Sequence, residues 1–221
     1  MNKKNYSIKS SENINNATYS KLGTVGLQNL TNKRRNELLF RYLKKYIHRN
    51  SFILDLGCGY GRVSNSLSLE GYKIIGLDIF HPFVLEAKKD NDNIQKSVSY
   101  TLGTITDLQF KKESFKTVFC LWNTFNHLLT KEEQIACISE INRVLKPPEA
   151  IAIIEMLYPA YFRGDSHLDI IELDIGNSLF QYFVQTQKNL SKLCKEANIQ
   201  QFRIIEGDFA FENRLVLIIT K

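Results

Sequence analysis

The chain has 221 residues, 43% hydrophobic and 24% charged, which suits one α/β domain with a sizeable core and is short for two. No apolar run approaches the roughly 18 residues that span a bilayer, and the polar start lacks a signal-like apolar core, so no membrane role is read and the cytoplasm is the expected location. The net charge of +6 is segregated: residues 1–50 hold eleven Lys/Arg against two Asp/Glu, whereas the remainder is slightly acidic.

Residues 1–30 are rich in Asn, Ser and Lys and read as a mobile N-terminal arm, with residues 31–221 forming a single domain. Thr31-Asn32 marks a helix start, and Leu38, Leu39, Tyr42, Leu43, Tyr46 and Ile47 recur at helical spacing up to about Asn50. Strands and helices then alternate. Phe52–Leu56, Lys73–Leu77, Ser97–Leu102, Thr117–Leu121 and Ala150–Met156 read as strands, with helices at Val63–Leu69 and Pro82–Lys89. Thr130-Lys131-Glu132-Glu133 is a capping box opening a helix that runs to about Val144. Leu168–Leu173 and Leu179–Val184 read as an inserted β-hairpin after strand five, a candidate lid over 168–185. A helix at Lys188–Ala197 precedes two closing strands, Gln201–Glu206 and Arg214–Thr220, joined through Gly207-Asp208. The expected fold is α/β: a doubly wound, mostly parallel seven-stranded sheet with an antiparallel last strand and helices on both faces.

Cys58, Cys120, Cys137 and Cys194 are scattered without a CxxC pair or a histidine at ligand spacing, so neither a disulfide framework nor a metal site is expected. The informative stretch is Ile53-Leu54-Asp55-Leu56-Gly57-Cys58-Gly59-Tyr60-Gly61-Arg62, an apolar strand, a glycine turn and a helix start. Its GxGxG spacing differs from the GxGxxG of dinucleotide folds, and no Gly-Lys-Ser/Thr follows as in a triphosphate-cradling loop. Asp55, two residues before the first glycine, would repel a pyrophosphate and favour an amine. Asp78 closes the second strand nineteen residues past Gly59, near the spacing at which a carboxylate meets a ribose diol; capping the next helix is the structural alternative.

These residues resemble motif I and the acidic motif II of class I S-adenosylmethionine-dependent methyltransferases. Gly103-Thr104-Ile105-Thr106-Asp107-Leu108 resembles their third motif, and Val144-Leu145-Lys146-Pro147 the segment before strand five. The resemblance spans roughly residues 35–157. It implies S-adenosylmethionine as cofactor, with S-adenosylhomocysteine as product. Asp55, Gly57, Cys58 and Gly59 would then hold its methionine end, Asp78 its ribose, Ile79, Thr104 and Ile105 its adenine, and Leu121 would lie near the sulfonium. It also implies an N-terminal arm over the cofactor, with Tyr19 and Arg34 or Arg35 closing that side. The chain departs from the family pattern at Lys116, at Pro147-Pro148-Glu149, and at Thr104, where an acidic residue often meets the adenine amine.

Acceptor groups come from the carboxyl ends of strands four and five. Asn123 and His127 are the polar candidates there, beside Trp122; Tyr158, Tyr161, Arg163, His167 and the hairpin aromatics Phe180, Tyr182 and Phe183 follow. The expected partner is a small-molecule substrate, acting as a monomer or homodimer. RNA is the alternative, resting on the basic N-terminal charge; a non-catalytic cofactor-binding protein is another, to which Lys116 would point.

Overall fold

A computed structural model describes residues 11–30, 33–93, 98–157, 170–175, 178–207 and 214–221. The motif strands are β1 (Phe52–Leu56), β2 (Lys73–Asp78), β3 (Val98–Leu102), β4 (Thr117–Cys120) and β5 (Ile151–Leu157). With β8 (Phe202–Glu206) and β9 (Arg214–Thr220) they form one sheet in the order β3-β2-β1-β4-β5-β9-β8. The first five are mutually parallel, and β9 runs antiparallel to both neighbours, β5 and β8. The final strand therefore enters the sheet between β5 and β8. The expected doubly wound sheet with one antiparallel strand is what forms.

Alternation along the strands divides the interior into two cores. Leu54, Leu56, Val118, Ala152, Ile154 and Leu217 face helices α5 (Lys131–Val144) and α6 (Gln187–Glu196). Ile53, Ile74, Phe119, Ile153, Val216 and Ile218 face α2 (Lys33–Leu43), α3 (Arg62–Ser68) and α4 (His81–Asn93). The Thr130 hydroxyl accepts from the Glu133 N–H, while the Glu133 carboxylate accepts from the Thr130 N–H, closing both legs of the expected box ahead of α5.

Three elements differ in extent from the sequence reading. Within the expected 1–30 arm, residues Ser11–Asn29 form helix α1, broken at Gly23. Its apolar residues, such as Ile14, Leu22, Val25 and Leu27, are not spaced to form a helical stripe. Helix α2 stops at Leu43, because Lys45 and Tyr46 bond three residues back and tighten the chain ahead of β1. Helix α4 runs on to Asn93 through polar residues, and Asn91 both donates to and accepts from the Val98 backbone, pinning the helix to β3.

The hairpin strands β6 (Ile170–Ile175) and β7 (Ser178–Phe183) pair only with each other, outside the main sheet. Helix α1 lies against β7, where the Thr18 hydroxyl donates to the Leu179 carbonyl at 3.1 Å. No helix among the described residues is long and apolar enough to cross a membrane. Residues 1–10, Thr31-Asn32, the hairpin turn Gly176-Asn177, Asp208, and Tyr158, Tyr161, Arg163 and His167 lie outside the described residues.

Candidate active site

Leaving β1, the chain turns through Gly57, Gly59 and Gly61 with φ of 69°, 56° and 84°. The Gly57 and Cys58 N–H groups both donate to the Leu77 carbonyl at the end of β2, at 2.8 and 3.0 Å. A side chain on Gly57 would be strained by its left-handed backbone and would run into Thr124, so only glycine fits. The carboxyl ends of β1 and β2 are thereby held together, with Asp55 and Asp78 side by side.

Asp55 is 3% exposed and accepts a 2.6 Å hydrogen bond from the Ser64 hydroxyl. Burial pushes its carboxyl up to about 6, against the opposing pull of that bond and of the Arg62 charge. The two Asp78 oxygens each accept one backbone N–H at 2.8 Å, from Gly59 and from Phe80. Burial raises this carboxyl also, and the N–H groups partly offset the rise. Asp78 thus makes a cap-like contact, and each oxygen keeps accepting capacity for a ligand hydroxyl.

Beyond β4, Trp122 and Asn123 are both left-handed, with φ of 57° and 65°, and lead into a 3-10 turn at Thr124–His127. Two successive non-glycine residues in that region signal a backbone held by its surroundings. The holding groups are identifiable. Trp122 N–H donates to Glu155 at 3.0 Å, and the fully buried Asn126 donates to the Phe183 carbonyl and accepts from Leu157 N–H. The turn is tied in this way to both β5 and β7. Asn123 Oδ1 is buried without a partner among the described residues.

His127 is 7% exposed, and its Nε2 lies 2.8 Å from the Tyr19 hydroxyl of α1. Burial lowers the imidazole to about 4, only partly opposed by the nearby Gln181 carbonyl, so the ring is neutral near pH 7. The Nδ1 atom itself makes no well-aligned hydrogen bond. Around the ring stand Tyr182, with centroids 4.7 Å apart, Tyr19 at 5.5 Å and Phe180 at 6.0 Å. Tyr19 in turn packs edge-on against Phe83 and Phe180.

Asp55, Asp78, Asn123, His127, Tyr19 and Tyr182 border one cavity of about 420 Å³, within the range of small-molecule sites. Each sequence-derived candidate lines it: Asp55, Gly57, Cys58, Gly59, Asp78, Ile79, Thr104, Ile105, Leu121, Asn123 and His127. Tyr19 and Arg35 line it, while Arg34 does not; of the hairpin aromatics, Phe180 and Tyr182 do and Phe183 does not. Thr104 is engaged with Thr106 at 2.9 Å. Lys116 donates to the Pro148 carbonyl at the opposite end of β4, so its departure from the family pattern does not reach the cavity.

The sequence reading missed Arg62, Glu155 and Arg214. Glu155 sits in an otherwise apolar strand, and that was the one available signal; Arg214 opens the last strand with no local pattern. Glu155 is 1% exposed and accepts from Arg35 at 2.9 Å and from Arg214 at 3.0 Å.

The donor set suits a nucleoside joined to an amino acid: carboxylates at Asp55 and Asp78, apolar Ile79 and Ile105, and a glycine turn between them. The fold is the Rossmann-like one found in methyltransferase domains, and the comparisons point the same way. Residues 53–148 match the family described as "Methyltransferase domain". The chain is 29% identical over 146 residues to the probable methyltransferase ltbC of Aspergillus luteorubrus, covering 62% of this chain and 50% of that protein. It is 34% identical over 113 residues to the cypemycin N-terminal methyltransferase of a Streptomyces species, covering 50% and 44%. The chain thus spans about half the length of these curated relatives. Among solved structures, the PH0226 protein of Pyrococcus horikoshii superposes with a TM-score of 0.72 at 20% identity, over 92% of this chain and 94% of that one. Residues 53–148 therefore match a methyltransferase domain, within a Rossmann-like fold shared with S-adenosylmethionine-dependent methyltransferases, and that likeness implies S-adenosylmethionine as the cofactor.

Proposed function

We propose that this chain transfers a methyl group from S-adenosylmethionine to an oxygen, nitrogen or carbon nucleophile of a small molecule bound between α1, the 3-10 turn and β7. The observation that carries this reading is the single cavity in which the motif residues of the sheet and the aromatic groups of α1 and β7 share one space. Asp55, Gly57, Cys58 and Gly59 would hold the methionine end, Asp78 the ribose hydroxyls, and Ile79, Thr104 and Ile105 the adenine, with Leu121 at the reacting end. When bound, the cofactor supplies an electrophilic methyl on a sulfonium that is its own leaving group.

The protein's part is alignment, exclusion of water and the fate of one proton. The acceptor gains the methyl group and loses a proton, leaving S-adenosylhomocysteine. Tyr19 Oη can take that proton while passing its own to His127 Nε2, which burial keeps neutral and able to accept. Asn123 Oδ1, buried and unpartnered, can accept from a donor on the acceptor molecule.

The test is transfer of labelled methyl from S-adenosylmethionine by the purified protein into separate small-metabolite and RNA fractions, with Asp78→Ala as control. Loss of a charge-assisted pair of hydroxyl contacts is expected to weaken S-adenosylhomocysteine binding roughly 10- to 150-fold. Label in metabolites that vanishes in the variant supports the reading. Label in RNA alone would replace it, and cofactor binding without label in either fraction would favour a non-catalytic binder.

A further inference from the structure

One wall of the cavity gathers three arginines, Arg35, Arg62 and Arg214. Arg35 of α2 and Arg214 of β9 both bond the single carboxylate of Glu155, and Arg62 of α3 stacks 4.4 Å over the Trp122 ring with its Nη1 on Asn36. The other carboxylates on the cavity are engaged elsewhere. Asp55 is held by Ser64, Asp78 by two backbone N–H groups, and Glu133 by Thr130 and Ser11. Arg214 is the informative member. It is 14% exposed, and its one hydrogen-bond partner among the described residues is Glu155, through Nε. Both terminal amino groups of a mostly buried guanidinium are left for a ligand, an expensive arrangement unless something accepts from them.

The position of Arg214 gives that ligand a location. Arg214, Tyr182 and His127 all line the cavity, and the Tyr182 and His127 ring centroids are 4.7 Å apart. Phe180 stacks nearly parallel to Tyr182, 5.9 Å away, and extends an apolar surface beside them. We infer that the acceptor is a carboxylic acid with a flat apolar or aromatic body, its carboxylate taken by the Arg214 fork and its body laid against Tyr182 and Phe180. The planar fork matches a carboxylate through two parallel bonds. This inference rests on the methyltransferase reading, since it places an acceptor beside the cofactor.

The test uses the full chain loaded with S-adenosylhomocysteine. Calorimetric titration would compare 4-hydroxybenzoate, phenylacetate and cinnamate with their uncharged amides, in the wild type, Arg214→Gln and Arg214→Lys. At least one acid should bind about tenfold or more tighter than its amide. The preference should vanish in Arg214→Gln and survive weakened in Arg214→Lys, which keeps the charge without the fork. S-adenosylhomocysteine affinity in the variants should stay within about threefold of wild type, and thermal unfolding reports that they fold. Equal affinity for acids and amides, no binding of any acid at millimolar concentration, or a preference that persists in Arg214→Gln would overturn the inference. So would a roughly tenfold loss of S-adenosylhomocysteine affinity in Arg214→Gln, because the arginine would then serve the cofactor's own carboxylate. Failure of the wild type to bind S-adenosylhomocysteine is a separate result, and removes the cofactor reading beneath it.

Discussion

Two buried titratable side chains face the cavity with opposite consequences for pH. His127 is held near 4 when folded, against 6.5 ordinarily, because burial disfavours its charge. Between those values the unfolded chain carries a proton that the folded chain lacks, so stability from this residue rises with pH, by about 3 kcal/mol. Asp55 is held near 6 against 3.8, so over that window the folded chain carries the extra proton and stability falls as pH rises, by a similar amount. Asp78, also raised by burial, adds to the falling side. The wild type therefore shows partial cancellation, and differences between proteins isolate each residue. Urea unfolding at pH 4, 5, 6 and 7 should show the advantage of wild type over His127→Gln growing with pH, while its advantage over Asp55→Asn shrinks. A pH-independent difference in either comparison would mean that the group is not buried as described. On the proposed function, His127 would stay neutral throughout the physiological range and serve as a weak acceptor for the proton relayed by Tyr19.

At the level of elements, the break in α1 joins two functions that the sequence kept apart. Before the break, Tyr19 reaches His127; after it, Leu27 lies 3.7 Å from where a side chain on Gly59 would begin. Gly23 makes the bend with φ 64° and ψ 177°, a region essentially closed to other residues, and nothing lies within 4 Å of an added Cβ. Gly23→Ala would thus carry backbone strain alone, about 1–3 kcal/mol. The two halves of α1 should no longer seat together, and amide exchange across residues 11–29 should quicken by roughly 5- to 150-fold at little cost in global melting temperature. Unchanged exchange would mean that the halves dock independently of the bend. This element also marks where sequence reading stops. The glycine loop and Asp78 were legible because local chain geometry fixes them within one βαβ unit, and the strands because apolar runs alternate with helical stripes. The acceptor wall has no such signature. Tyr19, His127, Tyr182 and Arg214 come from four distant elements, and only the packing of α1 and β7 against the 3-10 turn brings them together. Helix α1 itself, whose apolar residues do not fall on one face, offered no periodicity to read, and Glu155 was one acid in an apolar strand.

For the molecule as a whole, the question is what the segregated charge does. The first 50 residues are strongly basic and the remainder slightly acidic, an arrangement that alone would suit a polyanion. Folding uses part of that excess internally. Arg35 is turned inward to Glu155, Lys44 pairs with Glu70, and Arg49 stacks over the Tyr72 ring at 5.1 Å. What remains on α2 is a solvated face, screened beyond about 8 Å at physiological ionic strength. The two substrate readings then separate by salt. A nucleic acid held through 6–10 phosphates would lose roughly 10³–10⁵ in affinity between 50 and 200 mM salt. A small acid held by one mostly buried guanidinium releases few counterions, so its KM should change by less than about threefold over the same range. Methyl transfer measured at 50, 100 and 200 mM salt decides between them. A flat response assigns the chemistry to the cavity, and a steep one moves the substrate onto the basic face of α2.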